Sequence, residues 1–123
     1  MARILVIEDN PSNAKLAVFL LTRAGHEVHS VPDAEEGLRL AQAERPDLVI
    51  MDVQLPGIDG LTATRRLRAD PATRALKVLA LTAFAMKGDE QKIMDAGCDD
   101  YLAKPYQYGD LLQRVEALLA KGA

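Results

Sequence analysis

Cysteine is nearly missing from this sequence: Cys98 stands alone among 123 residues. A lone thiol excludes an internal disulfide and fits a reducing cytoplasm. Long apolar runs are missing too. None approaches the roughly 20 residues that a membrane span requires, and MARILVIED enters strand-like sequence without the apolar region of a signal peptide. The 15 Lys and Arg are outnumbered by 18 Asp and Glu and are spread along the chain, so neither nucleic acid nor an anionic membrane finds a basic footprint. His and Cys form no cluster that would hold a soft metal. No linker, repeat array or low-complexity segment interrupts the chain.

Apolar residues make up 49% and charged residues 27%, the balance of a chain that folds around a core rather than staying disordered. The length suits a single domain over residues 1–123. Strand-like runs alternate with amphipathic stretches: RILVIE then PSNAKLAVFLLTRAG, EVHSV then DAEEGLRLAQAE, DLVIMD then GLTATRRLRAD, KVLALT then KGDEQKIMDAG, and DYLA then YGDLLQRVEALLA. That alternation predicts an α/β fold, a parallel sheet with helices on both faces. Asn10 before Pro11, and Asp33 after Pro32, suit helix N-caps; Gly25 and Gly97 suit positions just past helix ends. In the last helix Leu111, Leu112, Val115, Leu118 and Leu119 recur at helical spacing and predict one buried face.

Ligands of an open parallel sheet sit beyond the carboxyl ends of its strands. Those ends carry Glu8 and Asp9, then Asp52, Thr82 and Lys104. Crowded carboxylates repel, and one is expected to take up a proton unless a cation neutralises them. Oxygen ligands of this kind suit Mg2+. Lys104 would serve as a point charge for a phosphate oxygen and Thr82 as a hydrogen-bonding partner for another. Together they describe an aspartyl phosphate at Asp52, with the carboxylate as nucleophile.

The stretches ILVIEDN, DLVIMDVQLPGIDG, LALTAF and YLAKP, in that order and spacing, resemble the receiver domain of two-component response regulators across essentially the whole chain. TAFAMKGDE and the short length are most similar to the DivK-like stand-alone members. The resemblance implies a flavodoxin-like (βα)5 fold with strand order 2-1-3-4-5 and no effector domain. It implies phosphoryl transfer to Asp52 from a sensor histidine kinase or histidine phosphotransfer protein. Mg2+ would be held by Asp9, Asp52, the backbone carbonyl of Gln54 and, through water, Glu8. Thr82 and Tyr101 would form the switch, Lys104 would bind phosphate, and the Lys104–Pro105 bond would be cis. The product would be the protein's own altered surface rather than a released compound, so the chain is not expected to be an enzyme in the ordinary sense. Output would pass to a downstream protein target through the surface of the fourth helix, fifth strand and fifth helix, where Met86, Lys87, Tyr106 and Tyr108 would be presented by a monomer.

Phe84, two residues past Thr82, stands where some chemotaxis-type receivers carry an acid, which predicts slow loss of the phosphoryl group. A phosphohydrolase of the dehalogenase type would need a second acid where this chain has Gln54, and a flavin carrier would not place the acidic EDNPSN loop against its phosphate. Cys98 reads as a small buried apolar residue. His26 and His29 read as solvated.

Overall fold

In a computed structural model that describes residues 2–83 and 88–121, the strand-like runs form strands and the amphipathic stretches form helices. In chain order these are β1 (Arg3–Ile7), α1 (Pro11–Arg23), β2 (Glu27–Val31), α2 (Ala34–Glu44), β3 (Leu48–Asp52), α3 (Gly60–Ala69), β4 (Lys77–Thr82), α4 (Asp89–Asp95), β5 (Asp100–Ala103) and α5 (Tyr108–Lys121). All strand pairs are parallel, in the order β2-β1-β3-β4-β5. This is the implied flavodoxin-like arrangement.

Local chemistry sets the boundaries. Asn10 caps α1, its side chain accepting from the amides of Ser12 and Asn13, and Pro11 takes the first helical position. Asp33 caps α2 through the Glu36 amide, and Asp59 caps α3 through that of Thr62. Gly25 and Gly97, with φ of +97° and +108°, follow the ends of α1 and α4 in the left-handed region. The Lys104–Pro105 bond is cis, as the resemblance implies.

Two apolar layers flank the sheet. One contains Leu5, Ile7, Val49, Met51, Ala63, Leu67 and Ile93 on the side of α2, α3 and α4. The other contains Ile4, Val6, Leu21, Ile50, Leu79, Leu111 and Val115 on the side of α1 and α5. In α5, Leu111, Val115 and Leu118 are buried while Leu112 and Leu119 pack at the margin. β3 is buried along its whole length because neighbouring strands cover both edges and helices both faces. That places Asp52 at the end of the most enclosed strand. No helix among the described residues is long and apolar enough to cross a membrane.

Phe84, expected to slow loss of the phosphoryl group, and Met86 and Lys87, expected on the output surface, lie outside the described residues. His26 is not solvated: its side chain is 8% exposed, its Nε2 lies 2.9 Å from a Glu116 carboxylate oxygen and its Nδ1 accepts from the Ala2 amide at 3.3 Å. Its partners lie just before β1 and on α5, contacts that no local pattern announces. His29 is half exposed beside Glu44. Cys98 is buried, with its sulfur 3.8 Å from the Thr64 hydroxyl, and burial pushes its thiol up.

Candidate functional site

Parallel pairing aligns the carboxyl ends of β1, β3, β4 and β5, and the loops leaving them carry the predicted side chains to one mouth. Asp52, 3% exposed, ends β3. One of its oxygens accepts from the Gln54 amide at 3.0 Å; the other accepts from Lys104 Nζ at 2.9 Å. The same ammonium donates to Glu8 Oε1 at 3.0 Å. Lys104 thus bridges two carboxylates that arrive from β1 and β3.

Glu8 is 4% exposed, not an ordinary exposed strand end. Its backbone amide continues the β1–β2 ladder to Val31, and its second carboxylate oxygen accepts from the Asn10 amide at 3.2 Å. Asp9 is exposed, and carboxylate oxygens of Glu8, Asp9 and Asp52 lie within 4.8 Å of one another. A single ammonium does not offset this much negative charge. Burial pushes the Glu8 carboxyl above its ordinary range, and its hydrogen bond with Asp52 pushes the same way, against the pull of Lys104 and the Asn10 amide. Burial alone would lower the Lys104 ammonium, but its bonds to Asp52 and Glu8 hold it above the usual lysine range.

All the clustered donors are hard oxygens, with no imidazole or thiolate among them, and their charge exceeds what Lys104 neutralises. That donor set fits a hard divalent cation such as Mg2+. Asp9, with no part in the Lys104 bridge and open to water, is the group best placed to receive one.

Thr82 ends β4 and is 1% exposed. Its carbonyl accepts from the Lys104 amide at 2.7 Å, so Thr82 and Lys104 share one backbone contact. The Gln54 carboxamide reaches across from the loop after β3, its nitrogen 3.4 Å from Thr82 Oγ and its oxygen accepting from the Ala83 amide at 3.1 Å. Tyr101 lies one strand further out on β5. It is half-buried against the layer beside α4, and a hydrogen bond to Glu90 holds its phenol above the usual tyrosine range. The Arg114 guanidinium donates to the Tyr101 carbonyl and to Asp100, tying β5 to α5. Tyr108 is exposed at the start of α5, and Tyr106 is half-buried.

Three contributors escape the sequence. A Cβ on Gly60 would lie 2.2 Å from the Asp52 carbonyl oxygen, so the first turn of α3 approaches the Asp52 backbone as only glycine permits. The signal was present: a glycine opens a helix directly after its Asp59 cap. Glu90 as the partner of Tyr101 and the reach of the Gln54 side chain have no such signal, since both depend on how loops fold back.

The family model for the response regulator receiver domain matches residues 4–116. The chain is 40% identical over 116 residues to the polar-differentiation response regulator DivK of Brucella anthropi, an alignment spanning 94% of each. The Brucella ovis counterpart is 39% identical over the same shares. Among solved structures, a putative response regulator from Chloroflexus aurantiacus has a TM-score of 0.92 at 38% identity, over 97% of this chain and 98% of that one. The receiver domain of a Pseudomonas aeruginosa sensor histidine kinase has a TM-score of 0.90 at 37% identity over the same shares, and that protein holds a magnesium ion in its active-site cleft.

Proposed function

Because this chain belongs to the response regulator receiver family, matched from residue 4 to residue 116, we propose that Asp52 accepts a phosphoryl group from a phosphohistidine on a sensor histidine kinase or phosphotransfer protein. The observation that carries this reading is the Lys104 ammonium bridging buried Asp52 and Glu8 at the carboxyl end of the central strand.

An Asp52 carboxylate oxygen attacks phosphorus, the P–N bond to the donor imidazole breaks with its electron pair going to nitrogen, and the product is an acyl phosphate. Lys104 orients the attacking carboxylate and stays within reach of the phosphoryl oxygens. Glu8 holds Lys104 in place from the far side. Asp9, Asp52 and the Gln54 carbonyl, with Glu8 through water, would hold Mg2+, which would supply the positive charge that the carboxylates and the incoming phosphoryl group require. The added group carries about −1.5 to −2 charges, and Thr82 is the hydroxyl drawn toward it. Movement of Thr82 lets Tyr101 exchange its Glu90 contact for an inward position, altering the surface of α4, β5 and α5 that meets the output partner. The chain acts on its own aspartate, as a monomer, in a cytoplasm where the Cys98 thiol stays reduced.

Acetyl phosphate with Mg2+ should add one phosphoryl mass to the protein, and Asp52→Ala or excess chelator should abolish the addition. An adduct that persists in either case removes Asp52 or the metal from the reading.

A further inference from the structure

Gln54 links groups that the phosphorylation reading keeps apart. Its backbone amide donates to Asp52, its carboxamide oxygen accepts from the Ala83 amide at 3.1 Å, and its carboxamide nitrogen lies 3.4 Å from Thr82 Oγ. The orientation of the carboxamide follows from its neighbours: a backbone N–H requires an acceptor, so the oxygen faces Ala83 and the nitrogen is left for Thr82. We propose that Gln54 is a positioning residue that latches the end of β4 in the unmodified protein, and that its carboxamide must leave before Thr82 and Ala83 can bond a phosphoryl group on Asp52. The inference rests on Asp52 being the acceptor.

Register brings these groups together. Asp52 pairs with Leu81, so Thr82 and Ala83 come next along the same mouth, and the Val53 amide continues the ladder to the Leu81 carbonyl. Gln54 is anchored beside the Asp52 carboxylate and touches both groups with one side chain. A phosphoryl group on that carboxylate brings three acceptor oxygens into the same space. Lys104 answers one. The Ala83 N–H and the Thr82 hydroxyl stand at the same mouth, and Gln54 already engages both.

Charge decides the exchange. A hydrogen bond to an anionic oxygen is roughly twice as strong as one to a neutral amide oxygen, so the Ala83 amide prefers a phosphoryl oxygen when one is present and returns to Gln54 when it is lost. Gln54 is half-exposed, so its displaced carboxamide finds water without a burial cost. The side chain therefore sets how far the end of β4 favours its resting arrangement, and a phosphoryl mimic must work against it.

The test uses Gln54→Ala and Gln54→Met, the second keeping length while removing the amide. Hydrogen exchange at the Ala83 amide is measured without ligand, with Val49 in β3 as the control for folding. Beryllofluoride with Mg2+ is then titrated and followed by the Ala83 and Thr82 amide shifts. In both variants Ala83 should exchange about fivefold faster or more, the loss of one hydrogen bond, while Val49 is unchanged. Protection should return at saturating beryllofluoride, and half-saturation should occur at several-fold lower concentration than in wild type. Unchanged exchange at Ala83, or mimic affinity equal to or weaker than wild type, overturns the latch. If wild type itself fails to bind beryllofluoride, the acceptor reading falls and the release step with it, while exchange at Ala83 still decides whether Gln54 holds that amide.

Discussion

Both ends of the sheet are charged, but the charges are arranged by different rules. At the amino end Arg3 and Arg68 each meet acceptors of their own. Arg3 pairs with Glu27 at 3.1 Å while its amide donates to Asp47 at 2.8 Å. Arg68 donates to the carbonyls of Gly97, Arg74 and Leu76 and to Asp99, which in turn accepts from the Val78 amide at 2.7 Å. At the carboxyl end Glu8 and Asp52 share Lys104 while Asp9 crowds beside them, and burial with the Asp52 hydrogen bond pushes the Glu8 carboxyl above its ordinary range. A hollow of about 840 Å³ opens at the amino end, between Ala2, His26, Asp47, Lys77 and Glu116, and none of Glu8, Asp9 and Asp52 lines it. Room alone does not locate chemistry. The carboxyl end carries more negative charge than Lys104 neutralises, whereas the pairs at the amino end hold elements together.

Lys104→Met should break this contrast most severely. It removes the ammonium that orients Asp52 while keeping the stem, and phosphorylation by acetyl phosphate should slow about 10²- to 10³-fold, the range seen when one preorganised charge-stabilising donor is lost. Intact-mass time courses check it. A rate within threefold of wild type would mean that the bridge is structural, like those at the other end.

Arg68→Ala tests the opposite end. Four acceptors lose their donor together, and urea unfolding should show a loss of about 3 kcal/mol, with the phosphorylation rate of the folded protein unchanged. A smaller loss accompanied by slower phosphorylation would show that the ends are coupled.

Gly60→Ala should act on both quantities. The new Cβ cannot coexist with the Asp52 carbonyl oxygen, so the first turn of α3 or the end of β3 must shift, costing about 1–3 kcal/mol as overpacking does. Because that shift falls on the Asp52 backbone, phosphorylation should slow as well. Loss of stability without loss of rate would place the strain in α3 alone.

The smallest effect concerns pH. The folded-state pKa of Glu8 is raised above its unfolded value near 4.5, so the folded protein binds the proton more tightly. The stability this contributes is complete below about pH 4.5 and is lost as pH rises through the folded-state value. Metal-free protein should show a urea midpoint that falls across that window relative to Glu8→Gln, and Mg2+ should flatten the difference by displacing the proton. A midpoint in wild type that rises relative to Glu8→Gln would contradict the sign.

The fold was legible because its signals are local and agree with one another. Apolar runs, caps at Asn10 and Asp33, and glycines at 25 and 97 each point to the same boundary. The mouth was legible because parallel strands end together, so Glu8, Asp52, Thr82 and Lys104 could be collected from strand ends alone. What depends on side-chain reach was not legible. Gln54 meets Ala83 across 29 residues and His26 meets Glu116 across 90. The burial of Glu8 follows from neighbours that RILVIEDN does not contain.

Lys104 reaches back 96 residues to Glu8, which gives the site an order of birth on the ribosome. Glu8 emerges first, Asp52 after it, and the lysine only when most of the chain has been made. Until β5 docks on the edge of β4, the two acids lack the ammonium that they share in the finished sheet. Completion of the last strand and completion of the charge pattern are then a single event, and a chain stalled before residue 104 presents an acidic cleft without its lysine.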